Sequence, residues 1–334
     1  MLIGYMHYRK RPHGLNKAYA FAAVAEAEGA RLLFFSPGAV DFENRIIKGY
    51  IYKNGRWKRT NSRFPDVILN VAAFSGERQI EAAERLEKEI PFTDHAIGDK
   101  LSVFKNLSKY GELAESLIPT EELLSVRHFF KLLERYKEVV LKPSSGCQGI
   151  GVYHIRREDA ADYKKLSEFV AGKLAGETCL VQPYINCRTK AGAPYDFRLH
   201  TQKNGEGGRV ITRIYPRVSV KGGIVCNLSG GGYTAGLKDF MSTEFGADAA
   251  AVTASVERFA LRLAGIMDEI QMKLYGEELD ELGIDIGLDE NRKIRLYEVN
   301  WRPGTPPSWY IELNTVTNKI RYAMYLASRE KGEA

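Results

Sequence analysis

The sequence predicts a mixed α/β (α+β) protein in which a small N-terminal α/β domain precedes a larger α+β region. At the N-terminus, an apolar segment, an Ala-rich segment and a second apolar segment follow one another, which is the pattern of a βαβ unit. Further along, the chain passes from a strand through a glycine-rich loop into another strand. Near the C-terminus two apolar segments turn back on each other. The 334 residues suffice for two or three domains.

Residues 1–95 are predicted to form the N-terminal domain. The segment GYIYKNGRWKRT alternates aromatic and polar residues around Asn54-Gly55, which predicts a β-hairpin with a type I′ turn. Ser75 precedes an amphipathic segment and could cap that helix. The other predicted elements are strands at 2–6, 31–35 and 65–71 and a helix at about 16–28.

The rest of the chain mixes helices and strands without an internal repeat. The segments GIDIGLD and KIRLYEVN predict an antiparallel strand pair that turns at Asp289–Arg292. A Pro-marked break at Ile118-Pro119-Thr120 separates two helical segments. The other predicted elements are a helix after Lys100, helices at 125–138, 157–175, 248–275 and 314–331, and strands in TCLVQPYI, YDFRLHTQ, RVITRIYPRVSV and IVCNL.

Composition and charge narrow the class of protein. No apolar segment reaches the roughly 20 residues that span a bilayer, and the basic loop RKRPHG follows the apolar start, the reverse of a secretory signal. The four cysteines form no C-x-x-C pair, so we expect free thiols in a reducing cytosol. The net charge of +6 fits either general solubility or attraction of anionic small molecules. Dense basic tracts are absent from the sequence, so we expect no nucleic-acid partner and no membrane partner.

The segment VVLKPSSGCQGIGVY, residues 139–153, predicts a phosphate-covering loop. Its lysine precedes the glycines, which excludes a Walker A loop, and the segment after them is strand-like, which excludes a dinucleotide-binding fingerprint. A strand, a glycine loop and a strand describe a hairpin whose backbone N–H groups can fold over phosphates. An ordinary glycine-rich hairpin turn is the alternative.

Three oxygen-bearing side chains in the C-terminal strand pair predict a metal site. Glu298 and Asn300 are two residues apart, so they share one face of their strand. If Asp285 faces the same way on the neighbouring strand, three hard oxygen ligands converge, which suits Mg²⁺ shared with ATP phosphates. A solvated strand edge is the alternative, although acids within apolar strands are costly to bury without a cation.

These motifs together resemble a known superfamily. VVLKPSSGCQGIGVY, CLVQPYI, DFRLH, NLSGGG and GIDIG with LYEVNWRPG occur in the order of the ATP-grasp superfamily, most like its glutathione synthetase and ribosomal-S6 glutamate ligase branch. The hairpin GYIYKNGRWKRT with RFPDVILN further resembles the YheC/YheD family of endospore-coat-associated ATP-grasp proteins. The resemblance implies an ATP-grasp fold: a Rossmann-like pre-ATP-grasp domain at 1–95, then two α+β lobes clasping ATP at 96–180 and 181–334.

The resemblance also implies which residues bind ATP. Two lysines would hold the phosphates, the glycine loop would cover them, and the segment Gln182–Ile185 would receive adenine through backbone groups. Pro183 departs from the family there, because relatives often carry Glu at that position. The implied nucleotide-binding residues are Lys100, Lys142, Ser145, Gly146, Gln148, Gly149, Gly151, Gln182, Pro183, Tyr184, Ile185, Asp196 and Asn227. The implied Mg²⁺ ligands are Asp285, Glu298 and Asn300.

Three arginines are candidates for the chemical step. Arg217 is the first choice to contact the transferred phosphate, and Arg302 follows Asn300 in a loop where relatives place substrate-contacting residues. Arg198 alternates with Asp196 and His200 on one strand, so all three can point into one cleft, and we expect His200 to be structural. The loop residues Arg9, Arg11 and His13 either touch substrate at the domain junction or form a solvated basic loop.

Such a site would join a carboxylate to an amine. The carboxylate would attack the γ-phosphorus of Mg-ATP, and the amine would attack the resulting acyl phosphate, so no protein nucleophile is needed. The substrates would be small molecules or peptides, and the family resemblance suggests a link to the spore coat or the mother-cell cytoplasm. A small-molecule phosphotransferase and a non-catalytic ATP-binding coat component are the alternatives.

Overall fold

The computed structural model describes residues 1–145, 149–219, 226, 231–304 and 309–332. The strands of this part of the chain form three sheets. Its α-helices are α1 (Asn16–Ala27), α2 (Glu77–Glu87), α3 (Lys100–Leu107), α4 (Val126–Tyr136), α5 (Tyr163–Gly176), α6 (Leu237–Phe245), α7 (Ala249–Tyr275) and α8 (Trp309–Glu330).

The first sheet confirms the predicted βαβ unit. Its strands are β1 (Leu2–Met6), β2 (Arg31–Phe35), β3 (Val40–Asp41), β4 (Ile46–Lys53), β5 (Arg56–Arg63) and β6 (Val67–Asn70). Strand β1 runs parallel to both β2 and β6, and α1 makes the crossover between β1 and β2. The order is β3-β4-β2-β1-β6, with β5 paired to β4 as the outermost strand of the described sheet.

The predicted hairpin is also confirmed. Strands β4 and β5 pair antiparallel over their whole length, with Lys53 opposite Arg56. Asn54 and Gly55 connect them with φ angles of 52° and 73°. Both angles are positive, as a type I′ turn requires.

The predicted cap of α2 is wrong. The helix begins at Glu77, and its N-cap is Gly76, which has no capping side chain. Ser75 therefore lies one residue too early for its hydroxyl to cap the first turn. The carbonyl of Gly76 accepts from the N–H groups of Gln79 and Ile80 and closes that turn instead.

The second sheet carries the glycine loop. Its strands are β7 (Glu121–Glu122), β8 (Glu138–Pro143), β9 (Tyr153–Arg156) and β10 (Cys179–Pro183), ordered β7-β10-β8-β9 and all antiparallel. The glycine loop joins β8 to β9, which confirms the strand–loop–strand prediction. Gly149 and Gly151 have φ angles of 71° and 76°, a conformation that other residues rarely adopt.

The third sheet has one apolar and one polar face. Its strands are β11 (Tyr195–Lys203), β12 (Arg209–Val218), β13 (Tyr233–Thr234), β14 (Glu281–Leu288) and β15 (Ile294–Trp301), ordered β13-β12-β11-β14-β15. Alternate residues such as Phe197, Leu199 and Ile284 pack in one core with Ala260 and Leu263 of α7. The residues between them are polar and point to the other side, where the candidate site lies.

The last helix links the first and third sheets. Val316, Ile320 and Ala323 of α8 share a core with Ile3 of β1 and Val67 of β6. The same helix also packs along β11 and β12. Its apolar face thus completes the core of a domain whose other members lie about 250 residues earlier in the sequence.

Candidate active site

A cleft lies between the second and third sheets. Its polar side chains come from α3, β8, β10 and β15 and from Thr120, which precedes β7. Its lining residues are Lys100, Val103, Phe104, Leu107, Leu117, Thr120, Lys142, Leu180, Gln182, Leu296, Tyr297, Glu298 and Val299. A largely apolar cleft with a few charged groups is the usual form of a small-molecule site.

Lys142 brings a buried positive charge into the cleft. It is the second-last residue of β8, only 8% exposed, and its Nζ donates to the carbonyl of Tyr297 at 3.4 Å. Burial, helped by the charge of Lys100, lowers the pKa of Lys142 to about 8, because these effects outweigh the opposing charges of Glu298 and Asp285. A buried ammonium group at the mouth of a glycine loop is placed to pair with an anion.

Lys100 and Glu298 meet at the same point. Lys100 is the first residue of α3, whose N-cap Asp99 accepts from the N–H of Ser102 at 2.7 Å. The Nζ of Lys100 lies 3.7 Å from Oε2 of Glu298. The structure therefore brings together both predicted phosphate lysines and one predicted metal ligand, although the three are far apart in the sequence.

Asp285 is enclosed by two arginines. Arg198 donates to both carboxylate oxygens of Asp285 through Nε and Nη2, and Nη2 of Arg217 lies 3.1 Å from Oδ2 of Asp285. Arg217 also holds Asp196 through two hydrogen bonds of 2.7 Å. Burial opposes ionisation of Asp285, but the two guanidinium charges prevail and hold its pKa below the usual range. Two of the three predicted catalytic arginines, Arg198 and Arg217, are thus engaged with acids on the polar face of the third sheet.

The three predicted metal ligands lie on one face. Asp285 of β14 is directly opposite Glu298 of β15, and Gly283 is opposite Asn300. The Nδ2 atom of Asn300 lies 3.4 Å from Oδ2 of Asp285. Two carboxylates and one amide on adjacent strands form a donor set of hard oxygens, which fits Mg²⁺. In the structure the cations beside these carboxylates are the side chains of Arg198, Arg217 and Lys100.

Two glycines explain the sequence GIDIG around Asp285. A Cβ on Gly287 would lie 2.1 Å from the hydroxyl oxygen of Tyr297, and a Cβ on Gly283 would lie 2.5 Å from Cβ of Pro303. Neither position has room for a side chain. Glycine therefore lets β15 and the following loop close tightly against β14, which positions Asp285 opposite Glu298.

Of the predicted adenine segment, Gln182 lines the cleft at its second-sheet side. Gln182 is buried, and its Nε2 donates to Oγ1 of Thr120 at 2.6 Å. The N–H of Tyr184 donates to the carbonyl of Glu138, and its ring stacks on His154 at 4.0 Å between centroids. Pro183 ends β10, and Ile185 follows in a half-buried stretch. The side chain of Gln182 thus secures the wall of the cleft.

Other predicted residues lie apart from the cleft. Arg302, at a φ of 48°, donates to Oδ2 of Asp94 at 3.1 Å and stacks its guanidinium 3.8 Å from the ring of Trp301. His200 is buried with its Nε2 3.1 Å from Oε2 of Glu281, which agrees with a structural role. Ser145 is exposed beside the loop. The predicted residues Gly146, Gln148 and Asn227 lie outside the described residues.

The basic loop after β1 faces the first sheet. Arg9 and Arg11 are exposed. The ring of His13 packs edge-on against Tyr50 of β4, with 5.9 Å between the centroids. His13 therefore contacts the hairpin, away from the cleft.

Sequence reasoning missed two residues that contribute polar groups to the cleft, Thr120 and Tyr297. Thr120 holds Gln182 and accepts its hydrogen bond, and the only sequence signal is the proline before it. Tyr297 contributes its main-chain carbonyl, at an irregularity where the pairing register of β14 and β15 shifts. A main-chain acceptor carries no residue-type signature, so no sequence pattern marks it.

Comparison with known families identifies the family of this chain. A family model described as YheC/D-like ATP-grasp matches residues 89–326, which include every described residue of the cleft. The chain belongs to the YheC/D-like ATP-grasp family. It is 26% identical over 336 residues to the endospore coat-associated protein YheD of Bacillus subtilis, an alignment that covers 91% of this chain and 72% of that protein.

Solved structures show the ATP-grasp fold of this YheC/D-like protein. The D-alanine–D-alanine ligase of Coxiella burnetii superposes with a TM-score of 0.58 at 14% identity, covering 99% of this chain and 97% of the ligase. The N5-carboxyaminoimidazole synthase of Aspergillus clavatus, solved in complex with ADP and 5-aminoimidazole ribonucleotide, gives a TM-score of 0.60 at 13% identity, covering 97% of this chain and 76% of the synthase. At these identities the likeness concerns the fold.

Proposed function

We propose that this YheC/D-like protein is an ATP-dependent, ADP-forming ligase that joins a carboxylate to an amine through an acyl phosphate. One observation carries the proposal: Lys142 of the second sheet and Glu298 of the third sheet share one cleft with Lys100. The two lysines would pair with the phosphates of ATP, and the carboxylate would bind the Mg²⁺ that accompanies them. Membership of a family whose structural relatives include a D-alanine–D-alanine ligase supports the same reaction class.

Each part of the nucleotide has a set of residues that would hold it. Lys100 and Lys142 would hold the phosphates, with Ser145, Gly149 and Gly151 in the covering loop. The apolar cleft wall and the backbone of Gln182–Ile185 would hold the base. Asp285, Glu298 and Asn300 would hold Mg²⁺, which when bound neutralises phosphate charge and polarises the γ-phosphoryl group.

The reaction needs no covalent bond to the protein. An oxygen of the substrate carboxylate attacks the γ-phosphorus and ADP leaves. The amine nitrogen then attacks the acyl carbon, inorganic phosphate leaves, and the amine loses one proton. Buried cations stabilise the negative charge that develops in both steps, because the cleft excludes much of the water that would screen them.

The three arginines would act from different positions. Arg198 and Arg217 both pair with Asp285, so they would set the orientation of a carboxylate that could also hold Mg²⁺ and compensate its charge when no metal is bound. Arg302 does not line the nucleotide cleft, and its Nε donates to Asp94. Its terminal nitrogens would hold a substrate carboxylate next to Asn300.

The test is phosphate release with Mg-ATP across a library of carboxylates and amines, with hydroxylamine added to trap an acyl phosphate. We expect acceptor-dependent phosphate release and hydroxamate, and a loss of about 100-fold or more in Glu298→Gln. Glu269→Gln, an exposed change on α7, is the matched control and should keep full activity. ADP formation with a phosphorylated hydroxyl product and no hydroxamate would mean a phosphotransferase. ATP binding without any turnover would mean a non-catalytic component.

We also propose an association with the spore coat, from the cytoplasm of a sporulating cell. The support is the description of the relative YheD as endospore coat-associated. Within the described residues, no helix is long and apolar enough to cross a membrane. A fluorescent fusion followed through sporulation tests this, and diffuse fluorescence that never concentrates at the forespore would contradict it.

A further inference from the structure

The hairpin of β4 and β5 accounts for the net positive charge of the chain. Residues 46–63 contain six basic and no acidic residues: Lys48, Lys53, Arg56, Lys58, Arg59 and Arg63. The whole chain has 48 lysines and arginines against 42 acids, so the rest of the chain has 42 of each and is neutral. All six side chains are exposed. Such a concentration of one sign on one element creates a local attraction for anions.

Few of these charges are compensated. Within the part of the chain that the structure describes, Arg63 is the only one of the six with a salt bridge, 3.1 Å to Asp66. Lys48 lies close enough to Asp41 to help lower the pKa of that acid. The cations around the turn and along β5, Arg56, Lys58 and Arg59, have no salt bridge among the described residues.

The hairpin also offers an open strand edge. Strand β5 pairs with β4 along all eight of its residues, and no described strand pairs with its other side. In the part of the chain that the structure describes, no other strand pairs with the N–H and C=O groups on that side, so a further strand can reach them. An extended peptide can add to such an edge through main-chain hydrogen bonds.

The placement of the charges distinguishes a peptide from other anions. In the β4–β5 register Lys48, Arg59 and Arg63 project from one face of the sheet, and Lys53, Arg56 and Lys58 project from the other. A membrane surface or a nucleic-acid backbone can approach only one of these faces. A strand added beside β5 places its own side chains above and below the sheet, so its acids can reach both sets.

The aromatic residues of the hairpin do not favour nucleic acid. Trp57 is only 9% exposed, and its ring packs edge-on against Tyr19 and Tyr52 at 5.8 and 5.2 Å between centroids. A single-strand binding surface needs aromatic faces on which bases can stack. Here the largest ring is used to fix the hairpin on α1.

We propose that the outer edge of β5 binds an acidic polypeptide segment, which adds to the first sheet as a further strand. The partner is defined by its chemistry: an extended segment of about eight residues with acids on alternating sides and no proline within the paired stretch.

The test measures binding of a fluorescent, β-prone decapeptide of glutamate, threonine and valine, by fluorescence polarisation without nucleotide. A second peptide of the same charge carries two central prolines, which prevent strand pairing. We expect the proline peptide to bind about tenfold more weakly or worse. The variant Arg56→Glu/Lys58→Glu/Arg59→Glu should weaken binding of the first peptide by about tenfold or more. The change Lys131→Glu/Lys164→Glu/Arg258→Glu shifts the net charge equally at exposed helical sites and should bind as the parent does.

Hydrogen exchange of the β5 amides distinguishes strand addition from a purely electrostatic association, which would not protect main-chain N–H groups. Addition of the decapeptide should slow exchange of amides within 56–63 and leave those of α7 unchanged. Equal affinity for the two peptides, or no protection of β5, would overturn strand addition. Tighter binding of a thymidine oligonucleotide or of phosphatidylserine vesicles than of the decapeptide would replace the peptide with that partner. Because no nucleotide is present, the outcome is independent of ligase activity.

Discussion

At the scale of single residues, the position of Lys142 was predictable and its surroundings were not. A lysine that ends an apolar strand before a glycine loop is a local pattern, and the structure confirms the strand and the loop. Its contact with the carbonyl of Tyr297 spans 155 positions. The pairing of Arg198 and Arg217 with Asp285 depends on which strands are neighbours. Alternation within one strand shows which side chains share a face, but it does not show which strand lies beside it.

The lowered pKa of Lys142 leads to a pH-dependent affinity for nucleotide. The free protein releases the Lys142 proton near pH 8, and bound phosphates raise the pKa of Lys142, so binding takes up a proton above pH 8. We expect the affinity for Mg-ADP to be constant between pH 6.5 and 7.5 and to fall between pH 8 and 9.5, by at most about tenfold per pH unit. Calorimetry in buffers of different ionisation enthalpy measures the uptake directly.

The variant Lys142→Met is the control for that measurement. It should bind Mg-ADP more weakly and show no proton uptake near pH 8.5. If the parent binds with the same affinity at pH 7 and pH 9.5, Lys142 does not contact the phosphates.

At the scale of elements, local rules succeeded where the signal was local. Asn54-Gly55 predicted the hairpin, because a turn of two residues with positive φ accepts few other sequences. The prediction that Ser75 caps α2 was wrong because Ser75 and Gly76 are adjacent, and only the structure shows that the first turn begins after Gly76. The glycines of GIDIG were recognised as part of a motif. The reason that glycine is required there is the close approach of Tyr297 and Pro303, which no local sequence rule predicts.

Those glycines give a stability prediction. Gly287→Ala places a methyl group against the ring of Tyr297, so we expect a loss of about 1–3 kcal/mol in the free energy of unfolding. Gly265→Ala is the matched control, because the new Cβ on α7 meets nothing within 4 Å, and it should stabilise the helix by about 0.5–1 kcal/mol. Denaturant unfolding of the three proteins measures both differences. Equal stability of Gly287→Ala and the parent would show that Tyr297 moves aside without cost.

At the scale of the whole molecule, the N-terminal domain is joined to the third-sheet lobe by polar contacts as well as by α8. His95, which follows the first sheet, has its Nδ1 2.9 Å from Glu87 of α2 and 3.2 Å from Glu277, just beyond α7. Its Nε2 lies 3.2 Å from the carbonyl of Phe92. Gln271 of α7 donates to both Glu277 and the carbonyl of Ala96. Contacts such as those of His95 with Glu277 and of Gln271 with Ala96 cannot be read from sequence because their partners lie far apart in the chain.

The contacts of His95 predict a pH-dependent contribution to stability. Burial opposes protonation, but the hydrogen bond that His95 donates to Glu87 and the charge of Glu277 outweigh it and raise the pKa of His95 above its ordinary value of 6.5. A raised pKa stabilises the folded state fully below pH 6.5, and this contribution is lost as the pH rises through the pKa of the folded protein. We expect His95→Gln to lower Tm by on the order of 2 °C at pH 6 and by less at pH 9. A Tm difference that is the same at both pH values would contradict this.

The position of α8 has a consequence for how the protein is made. Because residues 316–327 complete the core around β1 and β6, the first domain cannot bury its apolar face while it is the only part of the chain to have left the ribosome. Translation must proceed through residue 327 before that surface closes. During this interval the nascent chain exposes apolar surface of an unfinished core, which is the kind of surface through which folding intermediates aggregate.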